Sequence, residues 1–314
     1  MGAPERAYAA TPWRGLLLVC LAGVLWGTIG PAVQLVHQGS DLSPWTIGAY
    51  RSVVALASLV LASAATRRLG RCRELFRAHR GRVVAVGLMT ASFQLLFFVA
   101  VLAIGVSVAT VVTLGLPPLL LLVVVSVERR RTPSRGSVAT VAVAVVGLLL
   151  VSLAGSPGGI DGSAGLVGVL AALGSGAAYA LSAHVGAPLS QRYDALSITT
   201  ATMTVAAAAL VPVGVVAGVV AHEGPGDVEP SSWLLLVYLG VVTMNVAYVL
   251  LFAGLRTTPS GSAVVATLLE PVTAVLIAVL ALGETLTAAG VAGSLLIVAA
   301  IGSLGRGGDD PQPQ

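Results

Sequence analysis

Ten long apolar stretches, each close to the length of a membrane-spanning helix, constrain the fold of this chain most strongly. A helix needs about 20 mostly apolar residues to cross the hydrocarbon core of a bilayer. The stretches cover roughly residues 14–36, 45–66, 83–104, 106–127, 136–154, 164–187, 195–220, 232–254, 259–282 and 286–305. Charged residues make up only 10% of the chain, whereas a soluble domain carries about 25%. The sequence therefore predicts an all-α integral membrane protein with ten transmembrane helices.

The distribution of arginine predicts the orientation of these helices, because cytoplasmic loops are enriched in basic residues. All 17 basic residues are arginines, and 16 of them fall in tails and loops on one side of the predicted membrane, chiefly at 67–82 and 129–135. The opposite loops carry acidic residues instead: Asp41, Asp161, Glu223, Asp227, Glu229 and Glu284. We therefore expect both termini in the cytoplasm. The lysine-free, Ala-, Gly- and Arg-rich composition is typical of a high-GC bacterium, which indicates a multi-pass protein of a bacterial plasma membrane.

Several functional classes are disfavoured by the residue types that the chain lacks. Without lysine it can have neither a P-loop lysine nor a Schiff-base lysine. The four histidines are too scattered for a zinc-protease motif, and Cys20 and Cys72 are not expected to pair. Ser182 and His184 lie two positions apart on one helix and therefore face different directions. We predict no metal, no cofactor, no nucleic-acid partner and no enzymatic activity. The arginine-rich 67–82 loop is interpreted as a determinant of membrane topology, and binding of anionic lipids is the alternative.

An internal repeat divides the chain into two halves of five segments each. A shift of 154 residues places Ala109 on Ala263, Thr113 on Thr267, Pro117 on Pro271 and Gly136 on Gly290. Because five is odd, the halves enter the membrane in opposite senses, which is an inverted-topology repeat typical of secondary transporters. The predicted parts are a cytoplasmic tail (1–13), the first repeat (14–154), an external linker (155–163), the second repeat (164–305) and a cytoplasmic tail (306–314).

The chain resembles EamA-type members of the drug/metabolite transporter superfamily. The matching features are Trp26-Gly27-Thr28, Arg51 and the stretches at 97–118 and 262–284. The resemblance implies ten helices around a central cavity and transport of small metabolites such as amino acids, without ATP hydrolysis. One departure is that Leu116-Pro117-Pro118 in the first half corresponds to Leu269-Glu270-Pro271 in the second, so the halves are not chemically equivalent.

Glu270 is the strongest single candidate for a functional residue. It lies about 12 residues, or roughly 18 Å, into the ninth segment and hence near the membrane midplane. An ionisable group at that depth is costly unless it is protonated, paired or hydrated. We interpret Glu270 as part of a substrate site or gate and as a candidate proton carrier; the alternative is a structural carboxyl group that hydrogen-bonds between helices.

Prolines are expected to interrupt two corresponding helices. Pro271 removes the hydrogen bond to the Thr267 carbonyl. In the same way, Pro117 removes the bond to the Thr113 carbonyl and Pro118 the bond to the Leu114 carbonyl. Broken helices with free carbonyls at mid-membrane indicate a transport site, and simple kinks are the alternative.

Arg51 is the only basic residue predicted inside a span. Its guanidinium suits a substrate carboxylate, but the side chain is also long enough to reach the outer interface. The remaining candidates are polar or aromatic residues at mid-span: Trp26, Gln94, Thr113, Tyr179, Asn245, Tyr248 and Thr267. Each of them either lines a cavity or hydrogen-bonds a neighbouring helix.

The sequence therefore predicts a secondary transporter that exports amino acids or related small metabolites by alternating access. Its expected partners are a small-molecule substrate, the lipid bilayer and, as a candidate coupling ion, protons. An exporter of drugs or other solutes, or a passive facilitator on the same fold, is the alternative, and the oligomeric state is left open.

Overall fold

The structure, a computed structural model, describes residues 12–40, 42–153, 162–223, 229–282 and 287–306. The regular elements in these ranges are all helices. Nine helical stretches there are long and apolar enough to cross a membrane, and an apolar helix at Ala288–Leu304 is slightly shorter. The prediction of a helical, multi-pass membrane protein is therefore confirmed. The predicted acidic loop residues Asp41, Asp161, Asp227 and Glu284 lie outside the described ranges.

The elements in chain order are α1 (Pro12–Gly27), α2 (Ile29–Gln38), α3 (Pro44–Ala65), α4 (Leu69–Ala78), α5 (Arg80–Ile104), α6 (Val106–Glu128), α7 (Arg135–Leu153), α8 (Gly162–Ser190), α9 (Ala195–Val220), α10 (Pro230–Tyr238), a π-helical segment (Leu239–Val246), α11 (Ala247–Gly254), α12 (Ser260–Ala266), α13 (Leu269–Leu282) and α14 (Ala288–Arg306). The helix α4 occupies the stretch expected to be a loop. Its Leu75 is fully buried, while its arginines are exposed, as in a helix lying along an interface.

The first apolar segment is interrupted, which the sequence pattern did not predict. It forms α1 and α2, which are separated at Thr28. Pro31 has no N–H to donate to the carbonyl of Gly27, four residues earlier, so the helical ladder cannot continue through this turn. The Thr28 hydroxyl instead donates to the carbonyl of Leu25 at 2.7 Å and stabilises the break.

The ninth segment is also interrupted, between α12 and α13 at Thr267 and Leu268. Pro271 is the third residue of α13, where a missing N–H costs little. The expectation of a free Thr267 carbonyl is wrong, because the N–H of Glu270 donates to it at 2.9 Å. A tight turn thus supplies a hydrogen-bond donor to the Thr267 carbonyl, which Pro271 leaves without its usual donor.

The expected break at Pro117 and Pro118 is also wrong, because α6 runs continuously through both prolines. Each proline removes one hydrogen bond, and tertiary packing holds the helix together around the gap. The carbonyl of Thr113 packs against Gly176 of α8, where an added Cβ would lie only 2.5 Å from the oxygen. The Thr113 hydroxyl also donates to the Ala172 carbonyl at 3.3 Å.

Close contacts between a glycine and a carbonyl oxygen recur with the two halves exchanged. An added Cβ would lie 3.0, 2.5, 2.6 and 2.7 Å from the oxygen in four such contacts: Gly23 with Thr267, Gly176 with Thr113, Gly87 with Thr202, and Gly240 with Arg51. The first helix of each half thus packs on the fourth span of the other half. This exchanged packing fits a fold built from two related halves.

The loops gather at two opposite ends of the bundle. At the arginine-rich end, Arg68 pairs with Asp194 at 2.6 Å, and Asp194 caps α9 by accepting the N–H of Ser197. Burial raises the pKa of Asp194, but the hydrogen bonds from Ser197 and Arg68 outweigh it and leave that pKa below its usual value. At the other end, the Ser43 hydroxyl donates to Glu223 at 3.2 Å.

Candidate functional site

Three aromatic side chains from different spans meet at the centre of the bundle. Trp26 makes edge contacts with Tyr179 (ring centroids 6.0 Å apart) and with Tyr248 (5.2 Å). All three residues are at most 7% exposed. The indole N–H of Trp26 donates to the carbonyl of Thr243 at 2.9 Å, which fixes the ring. The sequence named these three aromatics as separate candidates, and the structure brings them into one cluster.

The aromatic cluster is tied to the break in the ninth segment. The Tyr179 hydroxyl lies 2.8 Å from the Thr267 hydroxyl, which also reaches the carbonyl of Val264 at 3.0 Å. Thr267 is the first residue after α12, so this bond connects α8 to the interruption itself. The cluster and the broken helix therefore form one structural unit.

Glu270 lies next to this unit in the first turn of α13. A carboxylate in the first turn interacts favourably with the helix dipole, an arrangement that an unbroken helix would not provide. Glu270 itself is partly buried. Its backbone packs against Gly27, where an added Cβ would lie 2.5 Å from the Glu270 carbonyl oxygen. The two interrupted segments therefore cross at their breaks.

Arg51 faces the interior rather than the outer interface. The residue is 7% exposed, and its buried Nε has no hydrogen-bond partner. Arg51 interacts electrostatically with Glu270 and Tyr248, yet no ion pair joins Arg51 to Glu270. The two opposite charges therefore interact inside the bundle without direct contact.

The other mid-span candidates divide between this site and helix packing. Asn245 donates from Nδ2 to the Ala55 carbonyl (3.1 Å) and the Ser58 hydroxyl (2.7 Å), so it holds the eighth span against α3. Its Oδ1, like the Oε1 of Gln94, is buried and has no partner. Thr113 belongs to the α6–α8 contact and not to the central cluster.

Two features escaped the sequence analysis. The π-helical segment around Asn245 widens the eighth span beside Arg51 and supplies the Thr243 carbonyl to Trp26. Such segments are common at functional sites. In the sequence, only Gly240 indicated an irregularity at this place. At the arginine-rich end, His184 contacts Glu128 (3.0 Å) and Ser260 (3.1 Å), a link between distant parts of the chain. Within the described ranges, no three His, Cys, Asp or Glu side chains are grouped to hold a metal.

The sequence and the fold both match known proteins. The profile of the EamA-like transporter family matches residues 13–153 and again 166–305. A Bacillus subtilis (strain 168) protein described as "Uncharacterized transporter YwfM" is 28% identical over 279 residues, covering 86% of each chain. A solved crystal structure at 19% sequence identity superposes with a TM-score of 0.73 over 92% of this chain and 96% of the other. At that identity the structural likeness concerns the fold alone.

Proposed function

Because the chain belongs to the EamA-like transporter family of the drug/metabolite transporter superfamily, we propose that it carries small zwitterionic metabolites, amino acids above all, by alternating access. It is a multi-pass membrane transporter. The orientation proposed is that of the arginine rule, with the arginine-rich end in the cytoplasm of a bacterial plasma membrane. Export is the proposed direction.

The observation that carries the proposal is the separation of two opposite charges inside the bundle. Arg51 is buried with an unpartnered Nε, and Glu270 is partly buried within its electrostatic reach. A buried charge without a partner is costly, so a ligand that satisfies both groups gains binding energy. A carboxylate suits the guanidinium fork of Arg51, and an ammonium group suits Glu270. The aromatic cluster supplies apolar surface for the rest of the solute.

The crossing of two interrupted segments supports a transport site at this place. Discontinuous helices near the midplane are typical of secondary transporters, in which helix ends face the substrate. The interrupted segments are the first and the ninth, whereas the sequence predicted interruptions in the fourth and the ninth. In the proposed cycle, Glu270 also exchanges the coupling proton.

A direct test compares amino acids with their amides in proteoliposomes. An amino acid should outcompete its amide for uptake, because charge-assisted hydrogen bonds contribute about 1.5–3 kcal/mol, or roughly 10- to 150-fold in affinity. Arg51→Gln should remove this preference, whereas Arg256→Gln, which changes an exposed arginine, should keep it. If Arg51→Gln retains the full preference for the carboxylate, the assignment of Arg51 is wrong.

Counterflow and pH separate the carrier from its alternatives. A carrier shows saturable exchange of labelled for unlabelled solute, whereas a passive facilitator does not. Glu270→Gln should abolish the acceleration of transport by an imposed pH gradient, with Glu229→Gln as the control. Unchanged pH dependence in Glu270→Gln would remove Glu270 as the proton carrier, and an unchanged KM as well would remove it as the partner of the ammonium group.

A further inference from the structure

A cavity of about 510 Å³ opens at the arginine-rich end, and none of the three clustered aromatic residues lines it. We call it the antechamber; its walls are the end of α6, the loop from 129 to 134, the start of α7, α8 at His184 and the start of α12. Its lining also includes Pro118 and Val265. Val265 belongs to α12, so part of the interrupted segment that holds Glu270 forms a wall of the antechamber.

The charges that line the antechamber are mostly positive. Arg129 and Arg131 line it, and an adjoining cavity of about 530 Å³ adds Arg82 while sharing Glu128 and His184. Glu128 is the only acidic residue among the described residues that line the two cavities.

That single carboxylate is already engaged. Its Oε1 lies 3.0 Å from Nε2 of His184, whose Nδ1 lies 3.1 Å from the Ser260 hydroxyl. The carboxylate is thus held by a neighbouring helix, and three arginines against one glutamate leave the surroundings positive. A concave surface of one sign concentrates solutes of the opposite sign.

We propose that the antechamber binds the acidic group of a small solute, a carboxylate or phosphate, before the solute reaches the central site. The wall also carries hydroxyl groups. Ser134 and Ser137 contact each other, Thr140 contacts Ser303, and Ser260 contacts His184. Ser262 adds a fifth hydroxyl to this lining. The proposal rests on the proposed transport function for its purpose, but the binding itself does not require transport. A lipid phosphate carries the same chemistry, so the experiment includes a lipid arm.

The test measures protection of a cysteine placed on the wall. In a Cys20→Ala/Cys72→Ser background, Ser262→Cys is alkylated by an uncharged maleimide in a neutral detergent. Succinate should slow the reaction saturably, by about threefold or more, and choline at equal ionic strength should not. Ser137→Cys on the same wall replaces Ser262→Cys if the latter does not fold.

Matched arginine variants identify the source of the effect. Arg129→Gln/Arg131→Gln should abolish protection by succinate, whereas Arg73→Gln, on exposed α4 outside both cavities, should preserve it. Equal protection by succinate and choline, or protection that survives the double substitution, overturns the proposal. Protection by a short-chain phosphatidylglycerol but not by succinate also overturns it and assigns a lipid site.

Transport distinguishes failure of this proposal from failure of the central site. The double variant should raise KM for a carboxylate-bearing solute and leave kcat unchanged, because the arginines act before translocation. Normal KM in the double variant refutes the antechamber while the zwitterion site stands. Absence of transport in the unmodified protein refutes the proposed function, and the alkylation result still decides the antechamber.

Discussion

Gly27→Ala is expected to force α1 away from α13, because the crossing has no room for a methyl group. An added Cβ would lie 2.5 Å from the Glu270 carbonyl oxygen and 2.5 Å from the Thr273 Cβ, where ordinary contacts are 3.4–4 Å. Relieving both overlaps requires a displacement of about 1 Å, and overpacking of this kind costs about 1–3 kcal/mol.

The control is Gly302→Ala, which places the same methyl group in α14 with nothing within 4 Å. Gly302→Ala gains helix propensity, worth up to about 1 kcal/mol, whereas Gly27→Ala, at the last residue of α1, gains less. At about 2–4 °C per kcal/mol, the overlap alone should lower the apparent Tm of Gly27→Ala by roughly 2–12 °C relative to Gly302→Ala, measured on purified protein at one scan rate. Equal Tm values for the two variants would refute the tight crossing.

Gly27→Ala should also impair transport more than its stability alone implies, since the displaced backbone is that of Glu270. Transport per folded molecule is the appropriate measure, normalised to the monodisperse fraction. Full transport by folded Gly27→Ala would show that the position of Glu270 is not critical.

Three further predictions concern the periphery and the cluster. Asp194→Asn should cost about 1 kcal/mol at pH 7, because the Arg68 pair is partly solvent-screened while the cap is retained. Since the native pKa of Asp194 is lowered, this difference should begin to shrink as the pH falls below about 4 and should vanish below the native pKa, which thermal unfolding at several pH values measures. Tyr179→Phe should cost about 1 kcal/mol through the lost bond to Thr267, whereas Tyr50→Phe, a tyrosine for which the structure shows only a ring contact with Trp233, should change the Tm little. A green fluorescent protein fused after Gln314 should fluoresce and alkaline phosphatase at the same point should be inactive; the reverse would overturn the proposed orientation.

The sequence was sufficient to predict the class of fold, because that class depends on properties added up over many residues. Segment lengths, the scarcity of charge and the duplicated pattern each average over many residues. The mid-span polar residues were also visible one by one, since an ionisable group in an apolar helix stands out regardless of its neighbours.

The positions at which helices are interrupted could not be predicted in the same way. Pro31 and the Pro117–Pro118 pair remove hydrogen bonds by the same chemistry, yet only Pro31 lies beside a break. The outcome depends on what packs around the proline, here Gly176 against Thr113, and no local rule contains that contact. The grouping of Trp26, Tyr179 and Tyr248 likewise arises from long-range packing.

The exchanged packing of the two halves has an energetic consequence. In a carrier built from inverted repeats, the two end states interchange the conformations of the halves, so a scaffold with identical halves would populate both equally. Thr202 stands in the second half where Arg51 stands in the first, and Leu116 in the first where Glu270 stands in the second. In the proposed alternating-access cycle, these unmatched charges would make the two end states unequal in free energy. The unloaded protein would then have a preferred resting state, and a solute that neutralises both charges would bring the two populations closer together.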